Sequence, residues 1–255
     1  MKLNFKHAIA NNYKSLSQIA RVLTENWVHE IGYCPSCGSN IDKYPNNQPV
    51  ADFYCLNCSE DYELKSRKIS FGAKVNDGAY QTMMARLNSS NNPNLFLLNY
   101  DFEYDEVKNF LVVPKHFFVP EIIEKRKPLS STAKRAGWVG CNIILKNIPE
   151  SGKIFYIKDK IIQSKESVLE TWKKMLFLRQ DKIFSAKGWL LDIIICIEKI
   201  KKCEFILEDI YKFENELKLL HPENKHVRDK IRQQLQILRD NGYLDFISRG
   251  IYRVL

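Results

Sequence analysis

At 255 residues, with 45% hydrophobic and 12% aromatic side chains, the chain can bury one large core or two modest ones, which excludes a disordered polyelectrolyte. The formal charge of +9 and a sequence pI of about 9.1 favour a polyanionic partner, nucleic acid first and an acidic membrane surface second. No apolar run reaches the ~18 residues of a spanning helix, and Met1-Lys2-Leu3-Asn4-Phe5-Lys6-His7 has no apolar signal core, so a cytoplasmic protein with no membrane association is expected.

Residues Tyr13 to Val28 place Leu16, Ile19, Ala20, Val22, Leu23 and Trp27 on one helical face, and Gly32 ends the helix. Two Cys-x-x-Cys pairs follow, Cys34/Cys37 and Cys55/Cys58. Pro49 to Tyr54 reads as a short strand around Asp52, and Asp61 to Ser66 as a second strand. Alternation in the latter turns Tyr62 and Leu64 one way and Glu63 and Lys65 the other. Asp77 is expected to cap a helix through Tyr80, Met83, Met84 and Leu87. Leu95-Phe96-Leu97-Leu98 and Phe110-Leu111-Val112-Val113 suit buried strands. Pro120 to Cys141, with Lys125-Arg126-Lys127, Lys134, Arg135 and Trp138, reads as one long basic surface loop. Ile154 to Ile157 reads as a strand and Leu169 to Leu178 as a helix closing a first domain, residues 1–182.

A second domain, 183–255, has the pattern of a winged helix. Its expected parts are an apolar helix from Trp189 to Ile200, a helix from Leu207 to Leu220, and a third from Lys225 to Asp240. A hairpin from Tyr243 to Val254 turns at Ser248-Arg249-Gly250.

The four paired cysteines have the spacing of a zinc ribbon, and in a reducing compartment such pairs read as metal ligands rather than disulfides. Four thiolates leave no open coordination position, so the zinc should be structural. Cys141, Cys196 and Cys203 lack partners at metal spacing and read as packing residues. Asp52, ten residues, then Glu63-Leu64-Lys65 is a carboxylate pair with a lysine. Two carboxylates and the Leu64 backbone carbonyl suit magnesium, with Lys65 orienting a water or stabilising developing charge. This pattern resembles that of the restriction-endonuclease-like nucleases, although polar residues on a strand's solvent face give the same spacing by chance. On the third helix of the second domain, Arg228, Arg232, Gln233 and Gln236 turn outward with the chemistry for base edges, and Arg249 and Arg253 on the hairpin suit phosphates or the minor groove. A solvated face in a protein–protein winged helix is the alternative. Trp138 could stack on bases or simply cover the domain core.

Taken together, Val22-Leu23-Thr24-Glu25, Pro49-Val50-Ala51-Asp52-Phe53-Tyr54-Cys55, Asn76-Asp77-Gly78-Ala79-Tyr80, Arg135-Ala136-Gly137-Trp138 and Ile231-Arg232-Gln233-Gln234-Leu235-Gln236 resemble the DpnI-type restriction endonucleases from the first helix to the last residues. The resemblance implies an α/β restriction-endonuclease-like core with an embedded four-cysteine zinc site, followed by a winged helix. It implies a monomeric type II enzyme that cleaves double-stranded GATC carrying methylated adenine, with magnesium for catalysis and zinc for structure. Asp52, Glu63 and Lys65 then match the catalytic residues, Cys34, Cys37, Cys55 and Cys58 the zinc ligands, and Trp138 a base-stacking tryptophan. Reading the methyl group requires an apolar surface and gains about 1 kcal/mol per methyl. Trp138 and the segment Phe184-Ser185-Ala186-Lys187-Gly188-Trp189 are the places to look for it, and Lys134, Arg135, Lys187 and Trp189 join the expected DNA contacts. The rival function is a non-catalytic zinc-ribbon and winged-helix regulator, which leaves Glu63 and Lys65 without a task.

Overall fold

The computed structural model describes residues 1–45, 51–87, 89, 92–101, 103, 105–180 and 184–255, with side chains of the last stretch described from Lys187. The chain divides into two compact units. One comprises Met1–Leu145 with Ser151–Lys173, the other Lys146–Glu150 with Lys174–Leu255.

A short 3-10 helix, His7–Ala10, precedes α1 (Leu16–Ile31) in the first unit. The buried stripe of α1 is Leu23, Trp27 and Val28, while Leu16, expected on that face, is 67% exposed because it starts the first turn. The strands are β1 (Asp42–Lys43), β2 (Phe53–Tyr54), β3 (Asp61–Arg67), β4 (Lys74–Ala79), β5 (Asn94–Asp101), β6 (Glu106–Val113), β7 (Ile123–Lys125), β8 (Gly140–Ile144), β9 (Ile154–Lys158) and β10 (Ile161–Ile162). Helix α2 (Tyr80–Leu87) follows β4, and α3 (Lys165–Lys174) follows β10. The expected strand from Pro49 is only two residues long, and Pro49 and Val50 lie outside the described residues.

The main sheet runs β1-β2-β3-β5-β6-β9-β10. The β3–β5 pair is parallel, because the chain leaves the sheet through β4 and α2 before returning. Strand β5 is buried along all but its last residue, as its continuous apolar run requires. Phe96 on β5 is wholly buried and meets the rings of Phe53, Tyr62, Phe110 and Tyr156, with centroids 4.5–6.5 Å away. Helix α1 lies on the same face, with Trp27 edge-on to Phe110 and Thr24 Oγ1 3.1 Å from Ser66 Oγ on β3. Phe96→Ala removes the hub of this cluster and should cost about 3–5 kcal/mol, read as a lower denaturant midpoint with an unchanged slope.

A second sheet, β4-β8-β7, corrects two expectations. Asp77 does not cap α2; it sits inside β4, paired with Cys141. The stretch from Pro120 to Cys141 is not one loop. Ile122 and Ile123 are buried and draw Ile123–Lys125 into pairing with β8, a signal that the adjacent charge run hides in the sequence.

The second unit contains α4 (Phe184–Ile200), β11 (Glu204–Ile206), α5 (Leu207–Tyr211), α6 (Glu214–Leu220), α7 (Val227–Asp240), β12 (Leu244–Ser248) and β13 (Ile251–Val254). The single helix expected over Leu207–Leu220 is two, because the Phe213 N–H bonds back three residues to the Ile210 carbonyl and tightens the turn. Strand β11 extends the hairpin to a three-stranded wing ordered β11-β13-β12. Gly250 has φ +76°, the left-handed conformation its turn needs. Cys141 and Cys196 are buried, but Cys203 is exposed in the turn after α4 and packs no core. Among the described residues, no helix is long and apolar enough to cross a membrane.

Candidate active and metal sites

Strand β3 organises the first site. The Asp52 N–H donates to the Tyr62 carbonyl and the Asp52 carbonyl accepts from the Tyr44 N–H, both at 2.9 Å, so its backbone is held from two sides. Its Oδ2 accepts the Leu64 N–H at 2.7 Å. That bond brings Asp52 between Glu63 and Lys65, whose side chains share the opposite face from Tyr62 and Leu64. Lys65 Nζ lies 2.5 Å from Glu63 Oε1 and 2.8 Å from Asp77 Oδ1. Arg86 on α2 stands 3.8 Å from Glu63 Oε2. Asp52, Glu63 and Lys65 therefore meet in one place, as the sequence spacing proposes.

The electrostatics follow from burial. Desolvation raises the Asp52 carboxyl; the Leu64 N–H opposes it, and the charge on Glu25 adds to it. Desolvation likewise raises Glu63, opposed by Lys65 and reinforced by Asp77 and Asp52. Burial works against the Lys65 ammonium, but Glu63 and Asp77 outweigh it and hold the amine above its ordinary value. Glu63 and Asp77 share the Lys65 ammonium, and the Asp52 carboxylate lies close enough to feel its charge, an oxygen-donor set that suits a hard divalent cation. The donor chemistry fits magnesium. Leu64 meets this group through its N–H, and its carbonyl belongs to the same strand.

Two members of the site escape sequence reading. Asp77 comes from β4, and its Asn-Asp-Gly context imitates a helix cap. Glu25 on α1 is 7% exposed and is held by Lys43 at 2.5 Å and Arg21 at 3.3 Å. Its spacing in the helix gives no hint of a carboxylate whose charge reaches the site.

The second site is the cysteine cluster. One ligand atom each from Cys34, Cys37, Cys55 and Cys58 lies within 4.8 Å of every other. Cys34 and Cys58 sulfurs are 3.4 Å apart, and Cys37 and Cys55 sulfurs 3.5 Å. A tetrahedral zinc with bonds of about 2.3 Å spaces its sulfurs by about 3.8 Å, so the four fit that ion. The thiolates are also supported. Burial opposes ionisation of Cys37, but hydrogen bonds from the Asn57 side chain and Ser39 bring its thiol down to about 6. Burial raises Cys34, against hydrogen bonds from the Tyr62 hydroxyl and the N–H groups of Cys37 and Ser36. Cys55 N–H donates to the Glu60 carbonyl and Cys34 N–H to the Ser39 carbonyl, closing both knuckles.

The remaining expected residues divide. Lys134 and Arg135 are exposed, and the Arg135 guanidinium lies 4.8 Å over the half-buried Trp138 ring. That indole covers Gly140, where an added Cβ would come within 2.8 Å of it. In the second unit Arg228, Arg232, Gln233 and Gln236 line the exposed face of α7. Arg228 pairs with Glu214 at 2.7 Å, and Arg232 Nε donates to the Tyr211 hydroxyl at 2.6 Å. Gln233 accepts from Lys230 at 2.8 Å. Arg249 is exposed at the wing turn, while Arg253 is bound to Glu204 on β11 at 2.7 Å. Lys187 and Trp189, expected at DNA, are 8% and 5% exposed. The reason is the apolar face of α4: Trp189 faces inward with Ile193 and Cys196, and stacks on His221 at 3.9 Å. Phe184, Ser185 and Ala186, the other expected methyl-reading positions, have side chains outside the described residues.

Comparison with protein-family models gives two matches that together cover nearly the whole chain. Residues 1–181 match DpnI, the Dam-replacing family. Residues 185–254 match the Dam-replacing HTH domain.

Proposed function

Because the chain belongs to the Dam-replacing DpnI family, we propose that it is a type II methyl-directed restriction endonuclease that hydrolyses double-stranded DNA at GATC containing methylated adenine. The observation that carries this reading is the meeting of Asp52, Glu63 and Lys65 on and beside one strand, in a chain that also matches a DNA-binding HTH family. A regulator without catalysis would have no use for a half-buried ammonium shared by two carboxylates.

Asp52, Glu63 and the Leu64 carbonyl would hold magnesium. Bound there, magnesium would polarise the scissile phosphate and make water a competent nucleophile. The chain's own part is positioning and charge. The Leu64 N–H and the flanking backbone bonds fix the Asp52 carboxylate without reorganisation. Lys65, kept cationic between Glu63 and Asp77, is placed to donate to charge that develops on the phosphate. The cysteine cluster would hold a structural zinc beside Asp52.

We place the division of labour at 182/183, with residues 1–182 cutting and 183–255 reading DNA through α7 and the wing. Arg228, Arg232, Gln233, Gln236 and Arg249 are the proposed contacts there, Arg253 joins them by exchanging Glu204 for phosphate, and Lys134, Arg135 and Trp138 are the contacts of the cutting domain. The working species is a cytoplasmic monomer. Matched plasmids grown with and without adenine methylation test the reading. With magnesium, the methylated plasmid should be cut to the GATC pattern and the unmethylated one left intact. Equal cutting of both, or of neither, rejects the methyl-directed function.

A further inference from the structure

The two sites meet at a side chain that neither of them needs for its own chemistry. Tyr62 is wholly buried, and its hydroxyl lies 3.1 Å from Cys34 Sγ. Its ring stacks on Phe96 at 4.5 Å and 11°, so it has no room to swing away from the sulfur. Its carbonyl accepts the Asp52 N–H, and the next residue along the strand is Glu63. Cys34 is itself fully buried. Apart from its fellow cluster sulfur Cys58 Sγ at 3.4 Å, its other hydrogen bonds come from the N–H groups of Cys37 and Ser36, inside the knuckle.

We propose that Tyr62 is a positioning residue that joins the metal-bound cysteine cluster to the catalytic strand, donating its hydroxyl to the Cys34 thiolate while its backbone fixes Asp52. The proposal rests on the zinc and nuclease readings above. Four thiolates around a divalent ion carry two excess negative charges, and a buried sulfur among them needs donors that water cannot provide. The Tyr62 hydroxyl is such a donor, and it comes from outside the knuckle. Hydrogen bonds of this kind orient a metal ligand, and their loss costs about 10-fold or more in metal affinity. Through the same residue, the placement of the sulfur is transmitted to the hydrogen bond that sets Asp52. Phenylalanine at this position would keep the stack and the strand and delete only the hydroxyl.

The test compares Tyr62→Phe with the unaltered full-length protein in two sets of samples, one loaded with cobalt(II) for its absorption spectrum and one loaded with zinc to measure transfer to a chromophoric chelator. The variant should show shifted thiolate-to-cobalt charge-transfer absorption and about 10-fold weaker zinc retention. With zinc saturating, it should also cut methylated plasmid several-fold more slowly. Phe96→Leu serves as the packing control: it loosens the stack but keeps the hydroxyl, so it should melt earlier with an unchanged cobalt spectrum. If Tyr62→Phe leaves both the cobalt spectrum and zinc retention unchanged, the proposal is wrong. A cobalt spectrum that shifts equally in Phe96→Leu overturns it too, since packing alone would then explain the effect. Unaltered protein that takes up neither metal overturns the zinc reading itself, and this inference with it.

Discussion

Replacing Asp52 by asparagine is expected to lower the single-turnover cleavage rate of methylated plasmid by about 10³-fold or more, equivalent to about 4 kcal/mol of transition-state stabilisation. Asparagine keeps the shape and can still accept the Leu64 N–H, so the bond at 2.7 Å has no reason to break. What disappears is one negative charge from a group in which three carboxylates face one ammonium. Affinity for methylated DNA in the absence of divalent metal should be retained, because the charge removed repels phosphate. Glu63→Gln should behave in the same way. The double substitution should be little worse than either alone, since residues that act as a unit are not additive. Gel-resolved cleavage set beside a binding titration separates the outcomes. Cutting that persists in Asp52→Asn would show that these residues do not form the active site.

Stripping the cysteine cluster of metal, or replacing Cys55 by alanine, should unfold the first unit rather than merely slow it. Structural zinc contributes about 10–16 kcal/mol in small zinc-binding peptides, comparable with the roughly 5–15 kcal/mol that stabilises a whole domain. The loop from Cys34 to Cys58 offers little compensation. Beyond the knuckles its regular structure, among the described residues, is β1 and β2, two residues each. Without the metal, buried Cys34 and Cys55 would leave a desolvated, unfilled centre beside Tyr62. Far-UV circular dichroism during titration with a strong chelator is the measurement. Ellipticity and cleavage should fall together, and zinc should restore both where magnesium restores neither. A stripped protein that melts at its original temperature would mean that the cysteines pack without a metal.

The parts legible in sequence are those set by short-range periodicity. Alternation in Asp61–Arg67 separates Tyr62 from Glu63 and Lys65, and cysteine spacing alone points to a four-sulfur cluster. Parts that depend on distant pairing are not legible. Asp77 reaches Lys65 only because β4 pairs with β8, far downstream, and no local pattern encodes that registry. Glu25 reads as an ordinary helix glutamate until α1 is laid on the sheet. Lys187 and Trp189 mislead for the opposite reason. A lysine and a tryptophan near a winged helix suggest nucleic acid, but α4 is apolar enough to bury both. The break between α5 and α6 is hidden because Ile210, Tyr211 and Leu217 all stay buried across it.

The cysteine cluster and both halves of the Asp52–Leu64 bond lie within the first 67 residues, ahead of every strand that later flanks β3 on its other side. A chain leaving the ribosome can therefore close its sulfur clasp before the central sheet exists, since drawing together ends so near in sequence costs little loop entropy. If the clasp takes zinc as proposed, supply of the ion during synthesis would govern how much protein matures. Cells short of the metal would accumulate nascent chains with an unpaired β3 edge, the kind of surface that seeds aggregation.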